Sequence, residues 1–229
     1  MRATLLCLAL TIVVGSVCLG QADAPKTMNG LPLIYEATFD GDLGDWAMTD
    51  EDAWAITQEE DGDTVLSLKA QSKYKPPVRS PVNIARIADL EVSDFILEVR
   101  MRQTGREYGH RDMCVFFGYQ DPSHFYYVHM ATAADAHAHS VFLVNDEPRV
   151  SICDDRTDGV EWGTDYHTIR IARDAKNGAI EVYYDDMGEP IMRTSDTTFD
   201  WGTIGFGSFD DTGNIDDIRI WGRRLGEGK

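Results

Sequence analysis

The sequence predicts an all-β fold, a sandwich or a barrel, and three observations carry that prediction. Apolar and polar residues alternate in short segments, as in Phe95-Ile-Leu-Glu-Val-Arg-Met-Arg102, where Phe95, Leu97, Val99 and Met101 share one side. Clusters of Gly, Asp, Asn and Pro separate these segments and turn the chain at short intervals. No stretch carries the 3.6-residue period of a long helix, and the small-residue run 131–137 offers one helical turn or an ordered loop.

Each element follows from its own residues. Leu33-Ile-Tyr-Glu-Ala-Thr-Phe39 alternates as a first strand and runs into the acidic turn Asp40-Gly-Asp-Leu-Gly-Asp-Trp46. Residues 54–57 and 65–70 form a hairpin around Glu59-Glu-Asp-Gly-Asp63, and the prolines between Lys73 and Pro81 make that segment a loop. Asp112–Tyr119 and His124–Met130 are apolar or aromatic at nearly every position, so both of their faces should be covered. Ser140–Val144 and Arg149–Cys153 flank the turn Asn145-Asp-Glu-Pro148; His167–Arg173 and Ala179–Tyr184 flank Asp174–Gly178. Trp46, Trp54, Trp201 and Trp221 are assigned to the core or its rim.

The closing pair organises the rest. In Thr203–Ser208, Ile204, Phe206 and Ser208 alternate with Gly205 and Gly207, and glycine inside a strand marks close approach of another backbone or a ligand. After the turn Asp210-Asp-Thr-Gly-Asn214, Asp216 falls on the apolar face of Ile218 and Ile220. An ionised carboxylate there needs a partner, and a hard cation beside the acidic turn is one. Backbone N–H groups of the turn are the other.

The stretch Phe209-Asp-Asp-Thr-Gly-Asn-Ile-Asp-Asp-Ile-Arg-Ile220 resembles the closing strand of concanavalin A-like and laminin-G-like jelly rolls. The resemblance spans Leu33 to Gly222 and is nearest to secreted bacterial proteins close to the 3-keto-disaccharide hydrolase domains. It implies a two-sheet antiparallel jelly-roll sandwich and a glycan-binding or glycan-cleaving role. It also implies a structural calcium where the first and last strands meet, with Glu36, Asp40, Asp42 and Asp216 as its candidate ligands.

The ends and the charge bound the function. Met1-Arg2, the apolar run Ala3–Leu19 and the small residues at Gly20-Gln-Ala22 read as a secretory signal peptide over residues 1–22. A leader (23–32), one domain (33–222) and a charged tail (223–229) follow, with no later segment able to span a membrane. Past the signal peptide only Cys114 and Cys153 remain, which in an oxidising compartment are either one disulfide or two buried thiols. With 39 acidic against 21 basic residues the chain repels nucleic acid and weighs against acidic polysaccharides. Neutral glycans, cations and proteins remain as partners.

Candidate site residues fall into three groups. His137-Ala-His139 places two imidazoles on one face of an extended segment, with His129 and His110 as neighbours and Asp135 or Asp112 as oxygen donors. Such histidines more often line a polar groove than bind zinc. Arg111, Tyr119, Tyr126 and Trp162 join His110, His129, His137 and His139 as the expected sugar-facing set on a concave sheet, against the alternative of core packing for each ring. For catalysis Glu98, Glu181 and His139 are the candidates. The Glu-x-Asp-x-x-Glu pattern of jelly-roll glucanases is absent, since Glu181 and Asp185 share a face without a third member. The expectation is an exported domain binding a neutral glycan, with a glycoside or keto-sugar hydrolase and a protein-interaction or envelope domain as rivals.

Overall fold

The computed structural model describes residues 24–40 and 46–226. The expected signal peptide, the calcium candidate Asp42 and the last three residues of the tail lie outside the described residues. In chain order the strands are β1 (Thr27–Met28), β2 (Leu31–Ala37), β3 (Trp46–Met48), β4 (Trp54–Gln58), β5 (Thr64–Leu68) and β6 (Asn83–Gln103). Then come β7 (Asp112–Asp121), β8 (His124–Ala131), β9 (Ser140–Asn145), β10 (Val150–Ser151) and β11 (Asp155–Arg156). The chain closes with β12 (His167–Arg173), β13 (Ala179–Tyr184), β14 (Met192–Ser195), β15 (Gly202–Ser208) and β16 (Gly213–Arg224).

All pairing is antiparallel, and β6 joins the two layers of the sandwich. Its first half pairs with β15 and β3, and β15 continues through β7, β8, β9 and β10. Its second half pairs with β12 and β16, extending to β13 and β14 on one side and to β2 on the other. The sandwich is thus one sheet curled over itself. The fold also reaches past the expected boundaries: Thr27 and Met28 pair with β2, and Pro25 C=O accepts the Trp221 indole N–H at 2.7 Å.

The core lies between the layers, where Val115, Phe117, Tyr126 and Val128 meet Leu97, Val99, Ile171, Val182, Ile218 and Ile220. Strands β7 and β8 are buried on both faces, as their unbroken apolar pattern requires. On the outer side Cys114, Phe116, Tyr119, Phe125, Tyr127 and Phe142 form a second cluster, against which Val78 of the proline-rich loop packs. The glycines of β15 serve backbone approach: a Cβ at Gly207 would lie 1.9 Å from the Asn83 carbonyl oxygen on β6.

Candidate functional site

Of the residues expected to hold calcium, Glu36, Asp40 and Asp216 have other partners. Glu36 lies opposite Arg219 and accepts its Nε–H at 3.0 Å, while Asp40 accepts the Thr38 hydroxyl at 3.1 Å. Asp216 sits directly across from Arg100, whose Nη1 donates to it at 3.2 Å and to Asp217 at 2.9 Å. The partner demanded by the buried Asp216 is therefore a guanidinium, although its Oδ1 is left without a hydrogen bond. Burial and the neighbouring Asp217 push the Asp216 carboxyl up to about 7. Calcium does not fit Glu36, Asp40 and Asp216 as they stand.

The candidate catalytic carboxylates are tied as well. Glu98 accepts Arg170 Nε at 2.8 Å, and Glu181 accepts the Tyr183 hydroxyl at 2.9 Å with Arg193 at 3.6 Å. These residues continue a ladder across β2, β16, β6, β12 and β13, in which Glu36, Arg219, Glu98, Arg170 and Tyr183 stand in register. Alternating sign across strands is a stabilising arrangement of a sheet face.

Two expected sugar contacts are packing residues. Tyr126 is fully buried, stacked on Phe117 at 5.2 Å, and its hydroxyl bridges Asp196 and the Phe199 N–H. Tyr119 stacks on Phe125 at 5.0 Å under the Arg86 guanidinium. The sheet face that would have presented Tyr119 is the one closed by the second apolar cluster. The two thiols are separate: Cys114 donates to Asp112 Oδ2 at 3.1 Å, and Cys153 donates to the Asp155 carbonyl at 3.1 Å.

Of the remaining candidates all but His139 converge, at the end of the sandwich, where three loops meet. Residues 104–111, 131–139 and 157–163 are held together by Ala133 N–H to Gly109 C=O (2.8 Å), Ala134 N–H to Asp158 C=O (2.7 Å) and Val160 N–H to Ala131 C=O (3.0 Å). Gly159 allows that approach, because a Cβ there would lie 2.1 Å from the Thr132 carbonyl oxygen. Two cavities open at these loops, a larger and a smaller lobe that share Tyr108 as a lining residue. The larger lobe, about 490 Å³, is lined by Glu107, Arg111, Thr132, Glu161, Trp162 and Gly163. Arg111 is fixed there by Gln103 Oε1 at 2.6 Å and Gly163 C=O at 2.9 Å, and Trp162 by its N–H to Met130 C=O at 3.1 Å.

The smaller lobe, about 170 Å³, holds His110, His129 and His137 together with Arg79, Arg149, Phe209 and Asp210. His139 is not in it. That residue is buried at φ 52°, with Nε2 against the Thr157 hydroxyl at 2.9 Å, and its backbone N–H donates to His129 Nδ1 at 3.2 Å. His129 Nδ1 is thus an acceptor, so in the neutral ring Nε2 carries the proton and points at Asp112 Oδ2, 3.3 Å away. Burial and the nearby Arg149 push the imidazolium form of His129 down to about 3, so the ring is neutral at pH 7.

Asp112, Cys114 and His129 bring ligand atoms within 4.8 Å of one another, as do Asp112, Asp210 and Asp211. A zinc ion on His129 Nε2 would leave the ring accepting at both nitrogens, which requires an imidazolate, so the first group does not suit zinc. In the second, Asp211 Oδ2 is already taken by Asp112 N–H (3.0 Å) and the Tyr108 hydroxyl (2.8 Å). Asp112 Oδ2 accepts Phe209 N–H at 2.8 Å, while its Oδ1 is buried without a partner.

Sequence reasoning missed Arg79, Glu107, Arg149, Glu161, Phe209 and Asp210 as site residues. Arg79 lies within the proline-rich loop and Arg149 follows a hairpin proline, and the pairing of Arg149 N–H with Arg79 C=O at 3.1 Å brings them together. Nothing local marks either one.

No protein family's sequence profile matches the chain, and no curated protein sequence matches it. Solved structures do match by shape. The carbohydrate-binding module CBM66 from Bacillus subtilis superposes with a TM-score of 0.54 at 13% identity, covering 77% of this chain and 95% of that one. Lectin I-B4 from Griffonia simplicifolia, in its metal-free form, gives 0.52 at 13% identity, covering 83% and 100%. The K247S mutant of the GH43 protein BlXynB from Bacillus licheniformis gives 0.57 at 13% identity over 82% of this chain, which spans 39% of that protein's length. At such identities the likeness speaks for architecture, and it agrees with the pairing traced above: the chain has the concanavalin A-like jelly-roll fold.

Proposed function

We propose that this is an exported carbohydrate-binding domain that holds a glycan across the Tyr108 cleft. The observation that carries the reading is the cleft itself, in which a concave space of about 490 Å³ combines an aromatic wall and floor with a few fixed polar groups. Sugars are bound in that way, ring faces against aromatic carbons and hydroxyls against immobilised donors and acceptors. Arg111 and Trp162 are locked by their own hydrogen bonds, so little side-chain entropy is lost on binding. The hydroxyls of a neutral ring suit this larger lobe. A depression of about 540 Å³ near Glu59 is a poorer candidate, because Arg102, Asn214 and Tyr166 all spend their donors on Glu59 Oε1. Carbohydrate binding in CBM66 and the lectin, and export read from the first residues, support the same conclusion.

The test is a panel of neutral and charged oligosaccharides titrated calorimetrically, with released reducing ends assayed in parallel. Tyr108→Ala is expected to weaken binding about tenfold or more, equivalent to about 1.4 kcal/mol. A panel in which nothing binds sinks the reading. Turnover abolished by Glu161→Gln would replace it with the hydrolase.

A further inference from the structure

The smaller lobe departs from the charge balance of the rest of the molecule. In a chain with 39 acidic residues to 21 basic ones, several arginines are ion-paired: Arg100 has Asp216 and Asp217, Arg102 has Glu59, Arg170 has Glu98 and Arg219 has Glu36. Among the described residues, Arg79 and Arg149 have no carboxylate in an ion pair. Instead they lie against one ring, Phe209, at 5.4 and 4.1 Å, and Arg149 also faces Phe142 at 5.3 Å. The Arg149 plane is fixed by Nη2 donating to the His137 carbonyl at 3.0 Å, while its Nε–H and Nη1–H groups are buried without an acceptor. A buried donor with no acceptor is costly and calls for one from outside the chain.

We propose that the smaller lobe is an oxyanion subsite, taking the carboxylate of a uronic acid or a sulfate ester borne by a sugar whose ring occupies the larger lobe. It rests on the glycan-binding reading and adds a charge preference to it. A space of about 170 Å³ is sized for a substituent, and a planar guanidinium fits the paired oxygens of carboxylate and sulfate. The imidazoles of His110 and His137, both exposed, stand at the mouth, with His110 Nε2 held by Asp135 at 2.6 Å. Two acidic groups oppose an anion. Asp210 lines the lobe; burial and Asp211 push its carboxyl up, while His110, Arg149 and Arg79 nearby draw it down. Asp112 lies behind His129, and its Oδ2 is covered by the Phe209 N–H, the Cys114 thiol and His129. The global charge of −18 therefore does not describe this surface.

The experiment titrates the full chain with five probes: inorganic sulfate, a hexuronate oligosaccharide, its methyl ester, a sulfated oligosaccharide and its desulfated form. At least one acid is expected to bind tenfold or more tightly than its uncharged counterpart, with affinity falling as salt rises. Whether the hexuronate or the sulfate ester shows that preference identifies the source of the oxyanion. Arg79→Gln, at an exposed position, should reduce the preference to less than twofold. Arg149→Gln should do the same, with its folding checked by melting. Equal binding of acids and uncharged forms, or a preference that survives both substitutions, overturns the subsite and leaves the glycan reading standing. Sulfate binding that shifts the His110 and His137 proton resonances and is lost in Arg79→Gln, with no glycan bound, keeps the subsite and removes the glycan. Failure of every probe overturns both.

Discussion

Arg100 and Asp216 show how a single pair sets behaviour at the scale of residues. Asp216 is 2% exposed, and its carboxyl at about 7 lies above the ordinary 3.8. The folded state thus binds a proton more tightly than the unfolded one does. This contribution is fully present below pH 3.8 and is lost as pH rises through about 7. Asp216→Asn should flatten that part of the stability-versus-pH curve, an effect of at most about 4 kcal/mol, read by urea denaturation at pH 4, 5.5 and 7.5. His129 works in the opposite sense: with its folded value near 3 against 6.5 unfolded, its contribution is present above pH 6.5 and lost as pH falls towards 3. Arg100→Met removes the counter-charge of two buried carboxylates and should cost about 1–3 kcal/mol, less than a fully buried pair because the guanidinium is 36% exposed. The two thiols should separate kinetically under alkylation. Cys153, half-buried, should label first in peptide mapping, and Cys114, whose thiol is pushed up by burial and by Asp112, only on unfolding.

At the scale of elements, β15 and its neighbours decide how tightly the layers close. Gly207→Ala places a methyl within 1.9 Å of the Asn83 carbonyl oxygen, so β15 and β6 must part. A loss of at least about 2 kcal/mol in denaturant titration is expected, in the upper range of single substitutions. The alternation of Gly205 and Gly207 with bulk was readable in the sequence and correctly announced backbone approach. The charged ladder was not, because Glu36, Glu98 and Glu181 belong to strands whose order along the sheet is set by pairing of distant segments. Read one strand at a time they looked like ligands or acids. Read across the sheet they are the counter-ions of Arg219, Arg170 and Arg193. The aromatic strands β7 and β8 gave the opposite lesson, since their unbroken apolar pattern did announce two covered faces, and Tyr119 and Tyr126 were thereby already spoken for.

At the scale of the whole molecule the curled antiparallel sheet places its three loop segments at one end, and the cleft is their product. Since Asp216 is paired with Arg100 and Glu36 with Arg219, the melting temperature should be unchanged by a calcium chelator. A fall of several degrees would show that the acidic segment containing Asp42 completes a cation site after all. Among the described residues no helix is long and apolar enough to cross a membrane.

The sequence by itself determined the all-β architecture, the two strands that close the chain and the two-sided burial of the aromatic strands. Each of those follows from spacing along the chain, because side chains alternate faces every residue and turns need particular residues. Only the tertiary structure decided which charged groups neutralise one another and which are left over. Arg79 and Arg149 are 70 positions apart, and a charge becomes a site only when folding brings it to a cavity and withholds its partner.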